Sequence, residues 1–189
     1  MNKLFLALAV STATLGAAPT LTRPVLAQQV RPSPPDVAGA VIDGSRVTVY
    51  YSRPKIQDPR TGAPRKIFGT LVPFGQVWRL GANEATLLVT QQPLQFGEVT
   101  VPTGASTLFL LPQADGTAKL IVNKQVGQWG TQYDEKQDIG RVDLKAEPLA
   151  AAVDVFTMSI ARNPAVPTGG ILKMMWEQTS YSLPFTIKK

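Results

Sequence analysis

The chain has 189 residues, with 19 lysines and arginines against 13 aspartates and glutamates, and it contains neither histidine nor cysteine. The absence of both residue types excludes Ser–His–Asp and Cys–His nucleophile systems and histidine-based metal sites. A net charge of +6 without a clustered aromatic and basic motif does not indicate nucleic-acid binding. We therefore expect no nucleic-acid partner, no metal and no cofactor.

The N-terminal stretch MNKLFLALAVSTATLGAAPTLTRPVLAQQV is typical of a secretory signal. Lys3 provides the positive charge, an apolar run covers residues 4–18, and Val25-Leu26-Ala27 is a small-residue cleavage site. The run is shorter than the roughly 18–20 residues of a membrane span. We therefore predict a signal peptide over residues 1–27 and an exported protein, periplasmic or extracellular, with no stable membrane span after cleavage. A retained N-terminal anchor helix is the alternative.

Cleavage would remove Lys3 and Arg23, lower the net charge to +4 and leave 162 residues, a size typical of one domain. Residues 28–40 are predicted to form an extended, Pro-rich leader, and residues 41–189 a single all-β domain. Apolar residues mostly alternate with polar ones, which indicates strands. We predict nine of them: 45–52, 85–92, 98–102, 106–112, 118–124, 138–147, 154–160, 170–178 and 180–189.

This pattern favours a single antiparallel β-sandwich or partly closed barrel. Asp115-Gly116 predicts a type I′ hairpin turn, and residues 148–153, PLAAAV, are the only plausible helix. Residues 53–75 form a long, basic, Pro/Gly-rich loop, expected over one end of the fold. Long irregular segments of this kind are usually functional or mobile.

Four stretches form a recognisable pattern: YYSRP (50–54), RKIFGTLVPFGQVWRLGANEAT (65–86), VPTGASTLFLLP (101–112) and YDEKQDIGRV (133–142). Together they resemble the bacterial exported family catalogued as domain of unknown function 2911. The resemblance covers about residues 47–177. It implies an all-β secreted or periplasmic domain with no assigned activity, and it supplies no catalytic residues.

The stretch VWRLGANEAT, residues 77–86, is the strongest candidate site. If residues 76–80 are a strand, Trp78 and Leu80 face the core while Arg79 faces outward. Gly81 and Asn83 suit a tight turn. Under one interpretation, Arg79 and Glu84 form a salt bridge that merely pins this turn.

Under the other interpretation, cations and polar groups of neighbouring segments converge on a cleft beside Trp78 or Trp129. Trp129 and Tyr133 are four residues apart, and exposed aromatic side chains of this kind stack on sugar rings. The candidate ligand-binding residues are Arg53, Lys66, Trp78, Arg79, Asn83, Glu84, Trp129 and Tyr133.

The functional hypothesis is an exported domain that binds a small polar or anionic ligand or a cell-envelope partner. Arginine and lysine would supply the positive donors. One alternative is a histidine-free hydrolase or lyase with Glu84 as general base, which requires a raised pKa. Another is a purely structural envelope protein. Neither a catalytic residue nor the oligomeric state follows from the sequence.

Overall fold

The computed structural model describes residues 31–189. The predicted signal peptide, residues 1–27, and the first residues of the predicted leader lie outside this part of the chain. Apart from one 3-10 turn at Glu135–Gln137, its regular structure is β. The strands are β1 (Pro35–Ile42), β2 (Ser45–Ser52), β3 (Thr86–Thr90), β4 (Leu94–Phe96), β5 (Val99–Val101), β6 (Gly104–Pro112), β7 (Thr117–Asn123), β8 (Asp138–Lys145), β9 (Glu147–Arg162) and β10 (Gly169–Ile187).

The strands form two antiparallel sheets with one hydrophobic core between them. The larger sheet has the order β1-β2-β3-β6-β7-β8, and the smaller has the order β5-β4-β10-β9. Val49 and Leu108 of the larger sheet and Phe156 and Trp176 of the smaller one are almost fully buried in this core. The fold is therefore a sandwich, as predicted; within residues 31–189 the sheets do not close into a barrel. No helix in this range is long and apolar enough to cross a bilayer.

The alternation of apolar and polar residues along the sequence indicates which side chains of a strand face the core and which face solvent. In β2, Val47, Val49 and Tyr51 are buried, whereas Arg46 and Tyr50 are exposed. Successive side chains of a strand point to opposite faces, so a period of two places one set in the core and the other in solvent. The strand pattern was predicted correctly here for this reason.

The predicted boundary between leader and domain, at residue 40, falls inside β1. Pro35 pairs with Ser52, and Ile42 pairs with Ser45. The connecting residues Asp43 and Gly44 both have positive φ, 47° and 77°. This is the two-residue hairpin that an Asp-Gly pair favours, and its signal was overlooked in the sequence.

The other Asp-Gly pair forms a different turn. Gly116 has φ of 83°, but Asp115 is not among the residues with positive φ. The loop has four residues, with hydrogen bonds from Gln113 N to Thr117 O (2.8 Å) and from Gly116 N to Gln113 O (3.2 Å). The predicted type I′ turn is therefore wrong, although the predicted hairpin between β6 and β7 is confirmed.

Two further corrections concern the C-terminal half. Residues 148–153, predicted as a helix, lie in β9, where Pro148 and Val153 pair with β10. Pairing with a long neighbouring strand outweighs the weak helix preference of three alanines. The predicted strands 170–178 and 180–189 are the single strand β10, which has register irregularities around Glu177 (φ 54°).

The register shifts between β9 and β10 coincide with a change in packing. Before them, the buried apolar side chains of β10 are at even positions, such as Met174 and Trp176; after them they are at odd positions, such as Tyr181 and Leu183. Residues 175–179 face residues 148–157, so the additional residues are in β9. The irregular backbone around Glu177 thus lets both halves of β10 bury side chains in the same core.

Residues 53–85, between the adjacent strands β2 and β3, form the long irregular connection. Ile67 and Val72 are buried within it. Backbone hydrogen bonds join it to β9, from Ile56 N to Asp154 O (2.7 Å) and from Phe156 N to Pro54 O (2.9 Å). These contacts hold the basic loop against the edge of the smaller sheet.

Candidate functional site

Trp78 lies between the core and the irregular connection. Its backbone exchanges two hydrogen bonds with Leu110 of β6, at 2.7 and 2.8 Å. Its indole ring stacks on Trp176, with ring centroids 5.7 Å apart and planes inclined by 20°. The indole N–H donates to Gly81 O at 3.2 Å. Trp78 thus packs inward as expected, but residues 76–80 do not form the strand on which that expectation was based: Trp78 makes only an isolated bridge to Leu110.

The chain reverses directly after Arg79. Leu80, Gly81 and Asn83 have φ of 51°, 151° and 61°. A Cβ atom at Gly81 would lie 2.8 Å from Ser52 O. Only glycine tolerates both this φ and this close approach. The side chain of Asn83 completes the turn by donating to Ser33 O at 3.0 Å and to Ser52 Oγ at 3.2 Å.

The side chain of Arg79 is half-buried. Its aliphatic part covers Gly130, where a Cβ atom would lie 2.2 Å from Arg79 Cδ. Its guanidinium makes one long hydrogen bond, 3.5 Å, to Asn83 O. It has no salt bridge with any acid of residues 31–189. Burial lowers the pKa of Arg79 from its ordinary value, although an arginine stays charged at neutral pH.

Glu84 pairs with a different arginine. Arg31 Nη1 donates to both carboxylate oxygens, at 2.6 and 2.9 Å, and both side chains are about half exposed. The Arg79–Glu84 salt bridge of the first interpretation is therefore not formed within residues 31–189. The hydrogen bond from Arg31 lowers the pKa of Glu84. Glu84 also borders a separate, more apolar groove of about 310 Å³ beside Tyr50 and Leu87.

The turn and the basic loop enclose a cleft of about 570 Å³, which we call the arginine cleft. Three cations, Lys55, Arg65 and Arg79, and one acid, Asp58, contribute to its lining. The remaining lining residues are mostly apolar or small: Pro32, Ser33, Pro54, Gln57, Pro59, Leu71, Trp78, Gly81, Ala82 and Trp176.

Arg65 has both hydrogen-bond acceptors and an acid beside it. Its Nε donates to Ile56 O at 3.2 Å and its Nη2 to Lys55 O at 2.7 Å. Its Nη1 lies 3.9 Å from Asp58 Oδ2. Asp58 also accepts from the backbone N–H groups of Arg60 and Thr61, which lowers its pKa. Of the two arginines of the cleft, Arg79 is therefore the one whose charge has no acid beside it within residues 31–189.

Two other predicted cations lie outside this lining. Arg53 forms a salt bridge with Asp36 at 3.2 Å and donates to Phe156 O and Thr157 Oγ1 at 3.2 and 2.9 Å. It therefore links β1 to β9. Lys66 is exposed, and it is not among the residues that line the arginine cleft.

The predicted aromatic pair also lies elsewhere. Trp129, 44% exposed, forms an isolated backbone bridge with Glu84. Tyr133 packs on Phe109, donates to Asp138 Oδ2 at 2.7 Å and accepts from Arg141 at 3.1 Å. Burial, followed by the hydrogen bond to Asp138, raises the pKa of Tyr133 to about 12. These contacts hold the loop of residues 124–137 over the larger sheet.

The structure thus brings together only two of the eight candidates, Trp78 and Arg79, in the arginine cleft. Asn83 supports the turn behind it. Lys55, Arg65, Leu71 and Trp176 were not predicted as site residues. The basic composition of residues 53–75 indicated the first two collectively, but no local signal distinguishes them from Arg53 or Lys66.

A comparison with protein families gives one match. The family model described as Protein of unknown function (DUF2911) matches residues 33–185, which extends the predicted resemblance at both ends. The match includes β1 and most of β10. No curated protein and no solved structure matches the chain.

Proposed function

The chain belongs to the family described as Protein of unknown function (DUF2911), and from this premise we propose that it binds a small anionic ligand in the arginine cleft. The family carries no activity to transfer. The proposal therefore depends on the chemistry of the cleft.

The observation that supports it most is the environment of Arg79. A half-buried guanidinium has lost part of its hydration, and the one hydrogen bond that it makes within residues 31–189, to a neutral carbonyl, is long. Partial burial of a charge without an opposite charge costs free energy. An anionic ligand would offset this cost, since a guanidinium can hold a carboxylate or an oxyanion through two parallel hydrogen bonds.

The field and shape of the cleft support the same proposal. Three cations and one acid line it, and the acid is already bonded within the loop. Its volume of about 570 Å³ lies within the range of roughly 300–1,000 Å³ for small-molecule sites. A concave surface beside Arg79 is also what a binding domain requires and a purely structural envelope protein does not.

The geometry gives less support to the hydrolase or lyase alternative. A carboxylate general base at neutral pH needs a raised pKa, which a dry pocket would provide. Glu84 is half exposed, is bonded to Arg31 and has a lowered pKa. Its environment shifts the pKa in the opposite direction.

We also propose export to the periplasm or the extracellular space, on the basis of the sequence of residues 1–27. N-terminal sequencing of protein recovered from cells should then start at or near Gln28. A mature protein that begins at Met1 would contradict this proposal.

A sulfate titration tests the anion site. The melting temperature is measured at constant ionic strength for the wild type, Arg79→Gln and the matched control Arg162→Gln, an exposed arginine near the end of β9. Circular dichroism verifies that each variant is folded. A ligand at 100 times its Kd stabilises by about 2.7 kcal/mol. In a domain of this size this is a rise of roughly 5–10 °C.

We expect sulfate to raise the melting temperature more in the wild type and in Arg162→Gln than in Arg79→Gln. The general stabilisation by sulfate is common to all three proteins, so it does not affect their difference. Arg79→Lys, which keeps the charge and loses the planar fork, should give an intermediate rise. An equal rise in all proteins would refute the proposal.

A further inference from the structure

The lining of the arginine cleft combines a half-buried guanidinium with apolar side chains, and this combination narrows the class of ligand. The inference rests on the proposed function, because it concerns the same cleft. Arg79 supplies hydrogen-bond donors. Trp78, Leu71 and three prolines contribute rings and aliphatic groups to the lining beside the polar side chains.

The indole of Trp78 has used its only polar group, since its Nε1 donates to Gly81 O at 3.2 Å. An indole has no other hydrogen-bonding atom. Trp176 is 1% exposed, and its ring stacks on that of Trp78. The ring surface of Trp78 that borders the cleft therefore offers only apolar and stacking contacts to a ligand.

Leu71 adds an apolar group that is still in contact with solvent. Its exposed fraction is 42%, and it borders the same cleft. A ligand that covers Leu71 removes apolar surface from water, which is favourable in proportion to the covered area. A small inorganic anion is too compact to use this surface while it is bonded to Arg79.

The supply of unpaired positive charge limits the charge of the ligand. Arg65 donates to two backbone carbonyls and lies 3.9 Å from Asp58, so its guanidinium already has an opposite charge beside it. Lys55 is exposed and contributes mainly a favourable field. One planar fork, that of Arg79, matches one carboxylate, whereas a polyphosphate would need several such donors.

We infer that the arginine cleft takes a monocarboxylate with an apolar, preferably aromatic, body. Its carboxylate accepts hydrogen bonds from Arg79, and its apolar body lies against Trp78, Leu71 and the prolines. The class includes arylacetate-like and branched aliphatic acids.

Phenylacetate and acetate are the probes, because they carry the same carboxylate and differ by a phenyl group. Nuclear magnetic resonance follows the arginine Nε–H signals of the full-length protein during each titration. Arg79→Lys identifies the Arg79 signal by its disappearance. We expect both probes to shift that signal, and phenylacetate to reach half-saturation at a concentration at least tenfold lower than acetate. Phenethylamine, a cation with a similar body, should leave it unchanged.

Two surface variants test the apolar contact without disturbing Arg79. Leu71→Ser should reduce the phenylacetate-to-acetate preference at least threefold. Val41→Ser is the matched control, since Val41 is 41% exposed, lies on β1 and does not border the cleft. It should leave the preference unchanged.

The possible failures are distinguishable. If both probes shift the Arg79 signal with a preference below tenfold, or if Leu71→Ser and Val41→Ser behave alike, the ligand class is wrong and the anion site stands. If neither probe nor sulfate affects Arg79, both the proposed function and this inference are overturned.

Discussion

The hydroxyl of Tyr51 links two strands that belong to different sheets, and its removal is a direct test of the packing described above. It accepts a hydrogen bond from Met158 N at 3.0 Å and lies 3.2 Å from Asp36 Oδ2, to which it donates. The first of these bonds is buried. Tyr51→Phe deletes the hydroxyl and keeps the ring, which packs edge-on against Phe156 at 5.7 Å.

The expected loss of stability comes mainly from the backbone N–H of Met158. In Tyr51→Phe the backbone N–H of Met158 loses its acceptor in a buried position. An unsatisfied buried polar group costs about 1–3 kcal/mol. Asp36 retains its salt bridge with Arg53, so its loss is smaller. We therefore expect the free energy of unfolding to fall by about 1–3 kcal/mol, which lowers the melting temperature by roughly 2–12 °C.

The adjacent tyrosine is the matched control. Tyr50 lies on the same strand, is 48% exposed, and borders solvent rather than the core. Tyr50→Phe should change the free energy of unfolding by less than about 0.5 kcal/mol. Urea unfolding of both variants, followed by circular dichroism, gives the comparison. Equal stabilities of the two variants would refute the inference that the Tyr51 hydroxyl joins the sheets.

Three further predictions concern the turn and the loops around the site. Glu84→Gln should cost less than about 1 kcal/mol at low salt, because its bond to Arg31 is exposed. Folding lowers the pKa of Glu84, so this residue stabilises the fold above the ordinary value of 4.5 and ceases to do so as the pH falls through the folded pKa. The free energy of unfolding should therefore depend less on pH between pH 2 and 6 in the variant than in the wild type. In urea unfolding, Gly81→Ala should lower the free energy of unfolding more than Gly44→Ala. Both residues have positive φ, but only at Gly81 would the Cβ meet a backbone oxygen, at 2.8 Å. Equal losses of stability would contradict the close approach at Gly81. Folding raises the pKa of Tyr133 from 10 to about 12, so its hydroxyl stabilises the fold fully below pH 10 and progressively less as the pH rises to 12. Tyr133→Phe should therefore lose less stability than the wild type over this range. Identical alkaline denaturation curves would contradict this.

The residues around Arg79 show which structural properties follow from the local sequence. Trp78 packs against the core, as a large aromatic side chain in an apolar segment is expected to do. Gly81 and Asn83 suit the positive φ that they adopt, which few other residues tolerate. These properties depend on neighbouring atoms, so the sequence by itself determined them, together with the all-β class.

The partners of the charged side chains were decided only by the tertiary structure. Glu84 pairs with Arg31, 53 positions away, rather than with Arg79, which is five positions away. Arg53 bonds to residues of β1 and β9, while Lys55, two residues later, borders the cleft. Long flexible side chains can reach several partners, and their choice depends on where remote segments lie. The path of residues 53–85 depends on contacts with remote segments, such as the hydrogen bond from Ile56 N to Asp154 O, and on the burial of Ile67. Composition therefore predicted a basic loop but not which cations would meet in one cleft.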